Sequence, residues 1–148
     1  MEYTYADVER ARLFATAAHA AVGQVRKYTN EPYIVHPVEV ASIVETVADR
    51  TIPMLMAAYL HDTVEDTNVS LSLIEELFGS EVAVIVGWLT DVSHPTDGNR
   101  AVRKAIDRNH TAMAPATAQT VKLADLISNS RSILAHDAAA SSMRPSAS

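Results

Sequence analysis

The chain has 148 residues, a length that suits one domain of ordinary size rather than two. Hydrophobic residues make up 48% of it and charged residues 20%, which excludes a disordered protein. Because aromatic residues contribute only 5%, aliphatic side chains must build the core, and this favours packed helices over a β-sandwich. The formal net charge of −6 argues against a nucleic-acid partner, which would require a basic face.

Cysteine is absent, so the sequence excludes disulfides, a thiolate nucleophile and cysteine-based metal sites. No stretch approaches the roughly 20 apolar residues that cross a bilayer, and the N-terminus lacks the basic start and apolar run of a signal peptide. The sequence therefore predicts a cytoplasmic protein with no membrane partner.

The first part of the chain predicts three helices. Apolar residues from Val8 to Val25 recur at intervals of three and four, the spacing of one helix face. Thr4 with Asp7 three residues later gives a capping signal for this helix. Pro37 and Pro53 are predicted to lie in the first turns of the second and third helices, where proline is favoured.

The middle of the chain predicts two more helices and a loop. Ser72 followed by Glu75 is the pattern of a capping box, and Gly79 is expected to end the fourth helix. The Val- and Ile-rich residues 81–89 are predicted as a fifth helix, since nothing else in the chain offers a strand a partner. Residues 91–99 contain Pro and Gly and are predicted as a loop.

The C-terminal part predicts a polar helix over residues 100–110 and a last helix that starts at Pro115 or Thr117. Residues 138–148 are rich in Ala and Ser and are expected to be a disordered tail. The predicted architecture is therefore all-α, with a single bundle of about six or seven helices over residues 1–137.

A histidine and three carboxylates follow the apolar third helix within six residues. If the segment stays helical, His61 shares a face with Glu65, and Asp62 shares one with Asp66. Buried carboxylates would repel each other, and a divalent cation would remove that repulsion while using His and Asp as ligands. The alternative is an acidic helix end exposed to water.

Two further polar clusters lie elsewhere in the chain. His36 stands between apolar residues and Pro37 at the mouth of a helix, a position that points inward, although it could equally cap the helix or sit in the core. Arg26 and Lys27 lie upstream of it and are most simply solvated charges at a helix end. On the last helix, one face carries polar residues that could also be its wet side; these are Lys122, Asp125, Asn129 and Ser132.

Taken together, the clusters offer two imidazoles and two carboxylates on three helices. Such a set suits a divalent metal such as Mn²⁺, Fe²⁺ or Zn²⁺. It can close only in a tertiary fold. Its members are His36, His61, Asp62 and Asp125.

This pattern resembles that of the HD-domain metal-dependent phosphohydrolases. Within them, the sequence is most similar to the (p)ppGpp hydrolase domain of the RelA/SpoT family, especially its small stand-alone members. The similarity covers roughly residues 10–133 in the order of the family's motifs. The matching stretches are residues 18–19, 23–24, 26–27, 31–37, 60–67 and 122–125.

The resemblance implies that the four residues of this set bind one Mn²⁺, with another divalent transition metal as an alternative. The acidic pair Glu65 and Asp66 matches the residues that order and activate the attacking water in the family. The residues that match substrate contacts are Arg26 and Lys27 for the base and phosphates, Asn129 for the ribose, and Ser132 near the base.

Some positions of the matching stretches stand apart from this set. His19 and Gln24 belong to the family's signature and are interpreted as structural. Leu126 stands where the family often has a basic residue after the aspartate. Ser128 stands where an aromatic residue or histidine often precedes the asparagine.

The activity that the resemblance implies is hydrolysis of the 3′-pyrophosphate of (p)ppGpp, which gives GDP or GTP and pyrophosphate. With only 4 Gly and no glycine-rich phosphate loop, the chain is not a P-loop kinase or synthetase. Two alternatives stay open. One is an HD phosphatase for another nucleotide, such as a 3′-phosphorylated cofactor or a nucleoside monophosphate, and the other is a non-catalytic nucleotide sensor. The expected partner is a guanosine nucleotide, and a homo-oligomer is possible.

Overall fold

Helices make up most of the computed structural model, which describes residues 2–23, 25 and 30–143. Within these residues the fold is all-α, as predicted, with seven α-helices of at least eight residues, one single α-helical turn and a 3-10 turn at Pro95–Asp97. The bounds are α1 (Tyr5–Ala21), α2 (Val35–Glu45), α3 (Ile52–Leu60), α4 (Thr63–Asp66), α5 (Leu71–Phe78), α6 (Ser80–Leu89), α7 (Arg100–Ala112) and α8 (Ala116–Met143).

Several helix ends lie where local sequence signals predict them. The Asp7 carboxylate accepts a hydrogen bond from the Thr4 N–H at 2.9 Å and completes the capping box of α1. Pro53 lies in the first turn of α3, and the Thr51 hydroxyl accepts from the Met54 N–H at 3.3 Å. Gly79 ends α5 with a φ of +95°, a conformation that favours glycine. These ends depend on neighbouring residues alone, which is why the sequence predicts them.

The start of α5 corrects one prediction. Ser70, not Ser72, caps the helix, because its hydroxyl accepts a hydrogen bond from the Leu73 N–H at 3.1 Å. Ser70 has the extended backbone of a cap, with φ −90° and ψ 155°, whereas Ser72 already lies inside the helix. Both serines precede a hydrophobic run at a plausible distance, so the spacing alone favoured the wrong one.

The core is centred on α3. Its residues from Met54 to Ala58, and Leu60, are buried, and the helix packs against α1, α2, α6 and α8. Ala11 and Ala15 of α1 are fully buried, and small side chains there allow the helix backbones to approach closely. Because α3 is surrounded in this way, the residues that directly follow Leu60 start from a buried position.

The two C-terminal helices, α7 and α8, bury a smaller share of their residues than α3 does. Throughout its described length, α7 contributes no buried residue, and it stacks His110 on Trp88 with ring centroids 4.9 Å apart. Helix α8 continues to Met143, through a stretch that the sequence analysis assigned to a disordered tail, and residues 144–148 lie outside the described residues. No described helix is both long and apolar enough to cross a membrane.

Candidate metal centre

The regular helix α3 ends before the His-Asp pair. Thr63 donates its hydroxyl hydrogen to the Leu60 carbonyl at 2.7 Å, and a new single turn, α4, starts there. His61 and Asp62 therefore occupy a bend between two helices. Both keep right-handed helical backbone angles, and the Asp66 N–H donates to the Asp62 carbonyl at 3.0 Å, as in a continuous helix. The bend turns both side chains toward the interior.

Four side chains converge at this bend, and they are the four predicted ligands. Their donor atoms all lie within 4.8 Å of one another. The Asp125 Oδ1 atom lies 2.7 Å from the Nε2 of His36 and 3.1 Å from that of His61. The Asp62 Oδ2 atom lies 3.1 Å from His61 Nε2 and 3.7 Å from His36 Nε2. Both histidines and Asp125 are buried.

The chemistry of this donor set requires a positive charge at its centre. The Nδ1–H of His61 donates to the Ala58 carbonyl at 2.8 Å, so in the neutral ring the Nε2 lone pair faces carboxylate oxygens. Burial lowers the pKa of His61, but the charges and hydrogen bonds of Asp62 and Asp125 outweigh it and hold the pKa well above its ordinary value. A divalent cation fits the same position, because imidazole nitrogens and carboxylate oxygens are its usual ligands.

Two of these ligands are held in place by residues that were not predicted from the sequence as part of the site. The Ser128 hydroxyl oxygen lies 2.9 Å from His36 Nδ1, on the side of the ring that faces away from the centre. The Tyr33 hydroxyl donates to Asp62 Oδ2 at 2.6 Å. Partners of this kind orient metal ligands and fix the tautomer of a histidine.

Neither Tyr33 nor Ser128 could be assigned to the site from local spacing in the sequence. Tyr33 belongs to a stretch that matches the family, and Ser128 is one of the two departures from it, but the contacts join residues 29 and 92 positions apart. Desolvation and the charge of Asp62 also raise the pKa of Tyr33, so its hydroxyl stays a proton donor.

Comparisons with known proteins show the family to which the chain belongs. The family model of the HD domain matches residues 11–145. This chain belongs to the HD-domain family. It falls among the MESH1- and SpoT-type members, since it is 34% identical over 132 residues to a Drosophila melanogaster protein named guanosine-3′,5′-bis(diphosphate) 3′-pyrophosphohydrolase MESH1. That alignment covers 88% of this chain and 72% of the fly protein.

Two further comparisons support the placement. A Synechocystis protein named probable guanosine-3′,5′-bis(diphosphate) 3′-pyrophosphohydrolase is 38% identical over 129 residues, which cover 84% of this chain but only 16% of that protein. The HD domain thus spans about a sixth of that longer relative. A solved structure described as "A metazoan ortholog of SpoT hydrolyzes ppGpp and plays a role in starvation responses" superposes with a TM-score of 0.77 at 32% identity, covering 91% of this chain and 74% of the other.

In this HD domain, the acidic pair after the bend lies on α4. The Asp91 backbone N–H donates to Glu65 Oε1. Desolvation and three neighbouring carboxylates raise the pKa of Glu65 to about 7, although the hydrogen bond from Asp91 acts to lower it. Those carboxylates belong to Asp62, Asp66 and Asp91. Glu65 is therefore placed to exchange a proton near neutral pH.

An open cleft of about 680 Å³ lies beside the centre, between α7 and α8. Lys122 lines it, and the Lys122 Nζ atom lies 3.3 Å from Asp125 Oδ2, so this lysine connects the cleft with the ligand set. Two basic side chains, Lys104 and Arg108, and two acidic ones, Asp91 and Asp107, also line the cleft, and Leu126 adds an apolar surface. Such a combination suits an anionic ligand with an apolar part.

The other predicted site residues are placed as follows. Asn129 lies one turn beyond Asp125, with Nδ2 3.4 Å from Asp125 Oδ1, and Ser132 is half-buried a further turn along α8. His19 is buried with its ring 4.7 Å from that of Tyr33. Gln24, Arg26 and Lys27 lie outside the described residues.

Proposed function

We propose that this chain is a metal-dependent (p)ppGpp 3′-pyrophosphohydrolase, which uses water to release pyrophosphate and leave GDP or GTP. The observation that carries the proposal is the convergence of His36, His61, Asp62 and Asp125, with donor atoms within 4.8 Å of one another beside an open cleft. The relatives that share the fold and bear this activity in their names support the choice of substrate.

The four converging residues are proposed to hold one Mn²⁺, and their mixed imidazole and carboxylate donors also suit another divalent transition metal. When bound, such a cation lowers the pKa of a water molecule and neutralises charge on a phosphoryl oxygen. Ser128 and Tyr33 keep the ring of His36 and the carboxylate of Asp62 facing the cation, so the ligands need little rearrangement.

Glu65 and Asp66 are proposed to order the attacking water and to accept its proton. Both residues lie on α4, directly after the ligands of the bend. A group with a pKa of about 7 is an effective base near neutral pH, because it is largely ionised and still basic enough to take a proton. The other product, pyrophosphate, leaves without a covalent intermediate.

The nucleotide is proposed to lie in the cleft with its phosphates toward the centre. Lys104, Arg108 and Lys122 supply three positive charges to this side, which the carboxylates of Asp91 and Asp107 partly offset. Asn129 would contact the ribose and Ser132 the region of the base. Arg26 and Lys27 would contact the base and phosphates. We further propose that the protein acts in the cytoplasm on this soluble guanosine nucleotide.

The test is a substrate panel with the metal-stripped protein and added Mn²⁺. We expect ppGpp to be converted to GDP and pyrophosphate, and a simple nucleoside monophosphate and a 3′-phosphorylated adenine dinucleotide to be poorer substrates by kcat/KM. Equal or better hydrolysis of the monophosphate would replace the proposal with a general HD nucleotidase. Tight ppGpp binding without any turnover would replace it with a nucleotide sensor.

A further inference from the structure

One carboxylate of α7 holds the loop that follows α6. Asp107 Oδ1 accepts hydrogen bonds from the backbone N–H groups of Val92 and Ser93, each at 2.9 Å. Asp107 Oδ2 accepts the Ser93 hydroxyl at 2.7 Å. Three hydrogen bonds to the Asp107 carboxylate hold two consecutive residues of the loop. Hydrogen bonds to a charged acceptor are stronger than those between neutral groups.

The same loop supplies the hydrogen bond to Glu65. Asp91 immediately precedes the two fastened residues, and its backbone N–H donates to Glu65 Oε1. Helix α4 is a single turn of four residues, so Glu65 depends on contacts outside its own helix to keep one side-chain orientation. The position of Asp91 is in turn set by the residues that Asp107 holds.

The loop and α7 have little apolar anchorage of their own. Residues 91 and 92 are exposed, and α7, which is described throughout, contributes no buried residue. Burial of its carboxylate acts to raise the pKa of Asp107, but the three hydrogen bonds outweigh this and hold the pKa below its usual value. Asp107 is therefore ionised near neutral pH and bonds as a full charge.

We infer that Asp107 is a positioning residue, which acts on the reaction through the loop by keeping the Asp91 N–H on the carboxylate of Glu65. The inference rests on the proposed function, in which Glu65 accepts the proton of the attacking water. Asp107 also lines the cleft, but both of its carboxylate oxygens accept hydrogen bonds from the loop, and its proposed effect is on Glu65 rather than on the nucleotide. Its removal should leave the metal bound while Glu65 becomes less well oriented and more basic.

The charged groups around Glu65 give the direction of that change. Glu65 faces Asp62 and Asp66 on its own segment and Asp91 on the loop, all of which raise its pKa. The Asp91 N–H lowers it. On the other side, Lys122 of α8 acts on Asp91, and His110 of α7 acts on Asp107. Loss of the N–H contact should therefore move the acid limb of the kcat profile to higher pH.

The experiment compares Asp107→Ala with Asp97→Ala in the metal-loaded protein. Asp97 is a matched control, because its carboxylate accepts the His94 N–H at 2.7 Å in the same loop, a hydrogen bond that does not involve residues 91–93. We expect Asp107→Ala to lower kcat by roughly 10-fold, with smaller change in KM, unchanged metal per chain and an upward shift of the acid limb. Asp97→Ala should stay within about twofold of the wild type, since it breaks no contact to Glu65.

Asp107→Asn keeps one oxygen that can accept a hydrogen bond from the loop, so its kcat should lie between those of Asp107→Ala and Asp97→Ala. This variant tests the inference if Asp107→Ala unfolds at a lower temperature than the wild type. An unshifted acid limb and wild-type kcat in both Asp107 variants, with Glu65→Gln strongly impaired, would overturn this inference and leave the proposed function standing. Full kcat in Glu65→Gln would instead remove the assignment of Glu65 as base, and the inference with it.

Discussion

The metal centre is carried by helices of the core, whereas the cleft beside it is bordered by an α7 without buried residues and by an exposed loop. Side chains of the centre are held by packing around α3 and by buried contacts such as Ser128 to His36. Glu65 is held by the loop that borders the cleft, through hydrogen bonds that start at Asp107. Changes in the first region should remove the metal, and changes in the second should alter turnover or substrate binding with the metal in place.

The largest effect is expected from the ligands themselves. Asp62→Ala or His61→Ala should abolish hydrolysis and metal binding together, because each removes one of only four donors. Elemental analysis of the purified protein should show close to one divalent metal per wild-type chain and a clear loss in each variant. Full turnover by protein that has been stripped with EDTA would contradict the metal-dependent mechanism.

The acidic pair should separate turnover from metal binding. Glu65→Gln combined with Asp66→Asn should leave metal content near that of the wild type and lower kcat by about 10²-fold or more, a typical loss of general-base catalysis. Because the pKa of Glu65 is raised to about 7, wild-type kcat should fall as the pH drops through that value and Glu65 becomes protonated. Metal lost in step with activity would instead place the pair among the ligands.

Substitution of Ser128 tests how far metal binding depends on residues that hydrogen-bond to the ligands. Ser128→Ala should weaken Mn²⁺ binding by about 10-fold, as measured by competition with a chelator, since His36 loses the contact that orients its ring. Ser130→Ala, at an exposed position of the same helix, is the control. Indistinguishable affinities in the two variants would show that packing alone orients His36.

The smallest effect is expected at the proposed ribose contact. Asn129→Ala should raise KM for ppGpp with little change in kcat or metal content, because a ribose contact is made in the ground state as well as the transition state. A hydrogen bond between neutral groups contributes about 0.5–1.5 kcal/mol, which corresponds to roughly a two- to tenfold change in KM. A fall in kcat with unchanged KM would assign Asn129 to the centre instead.

Local signals account for most of the fold that the sequence predicts. The Thr4–Asp7 cap, Pro53 in a first turn and Gly79 at a helix end each depend on residues within one turn, and the structure confirms them. Ser72 was the wrong cap because Ser70 offers the same chemistry two positions earlier. Short-range patterns thus identify an element more reliably than its first residue.

The site was predictable to a different degree. The four converging residues could be proposed because imidazole and carboxylate side chains have a recognisable chemistry wherever they occur. Ser128 and Asp107 have side chains common on any surface, and only contacts across 92 and 14 positions reveal what they hold. The break between α3 and α4 was likewise hidden, since residues 60–66 have no proline or glycine to mark it.

Metal-dependent hydrolysis of ppGpp is tested most directly by measuring metal occupancy and the rate of pyrophosphate release in the same samples. Metal-free protein is titrated with Mn²⁺, bound metal is measured by electron paramagnetic resonance, and pyrophosphate release from ppGpp is recorded at each point. We expect a rate that rises in proportion to occupancy and levels off at one metal per chain, with no rise in Asp62→Ala. Pyrophosphate release that is already maximal before any metal binds, or that never accompanies full occupancy, would contradict metal-dependent hydrolysis.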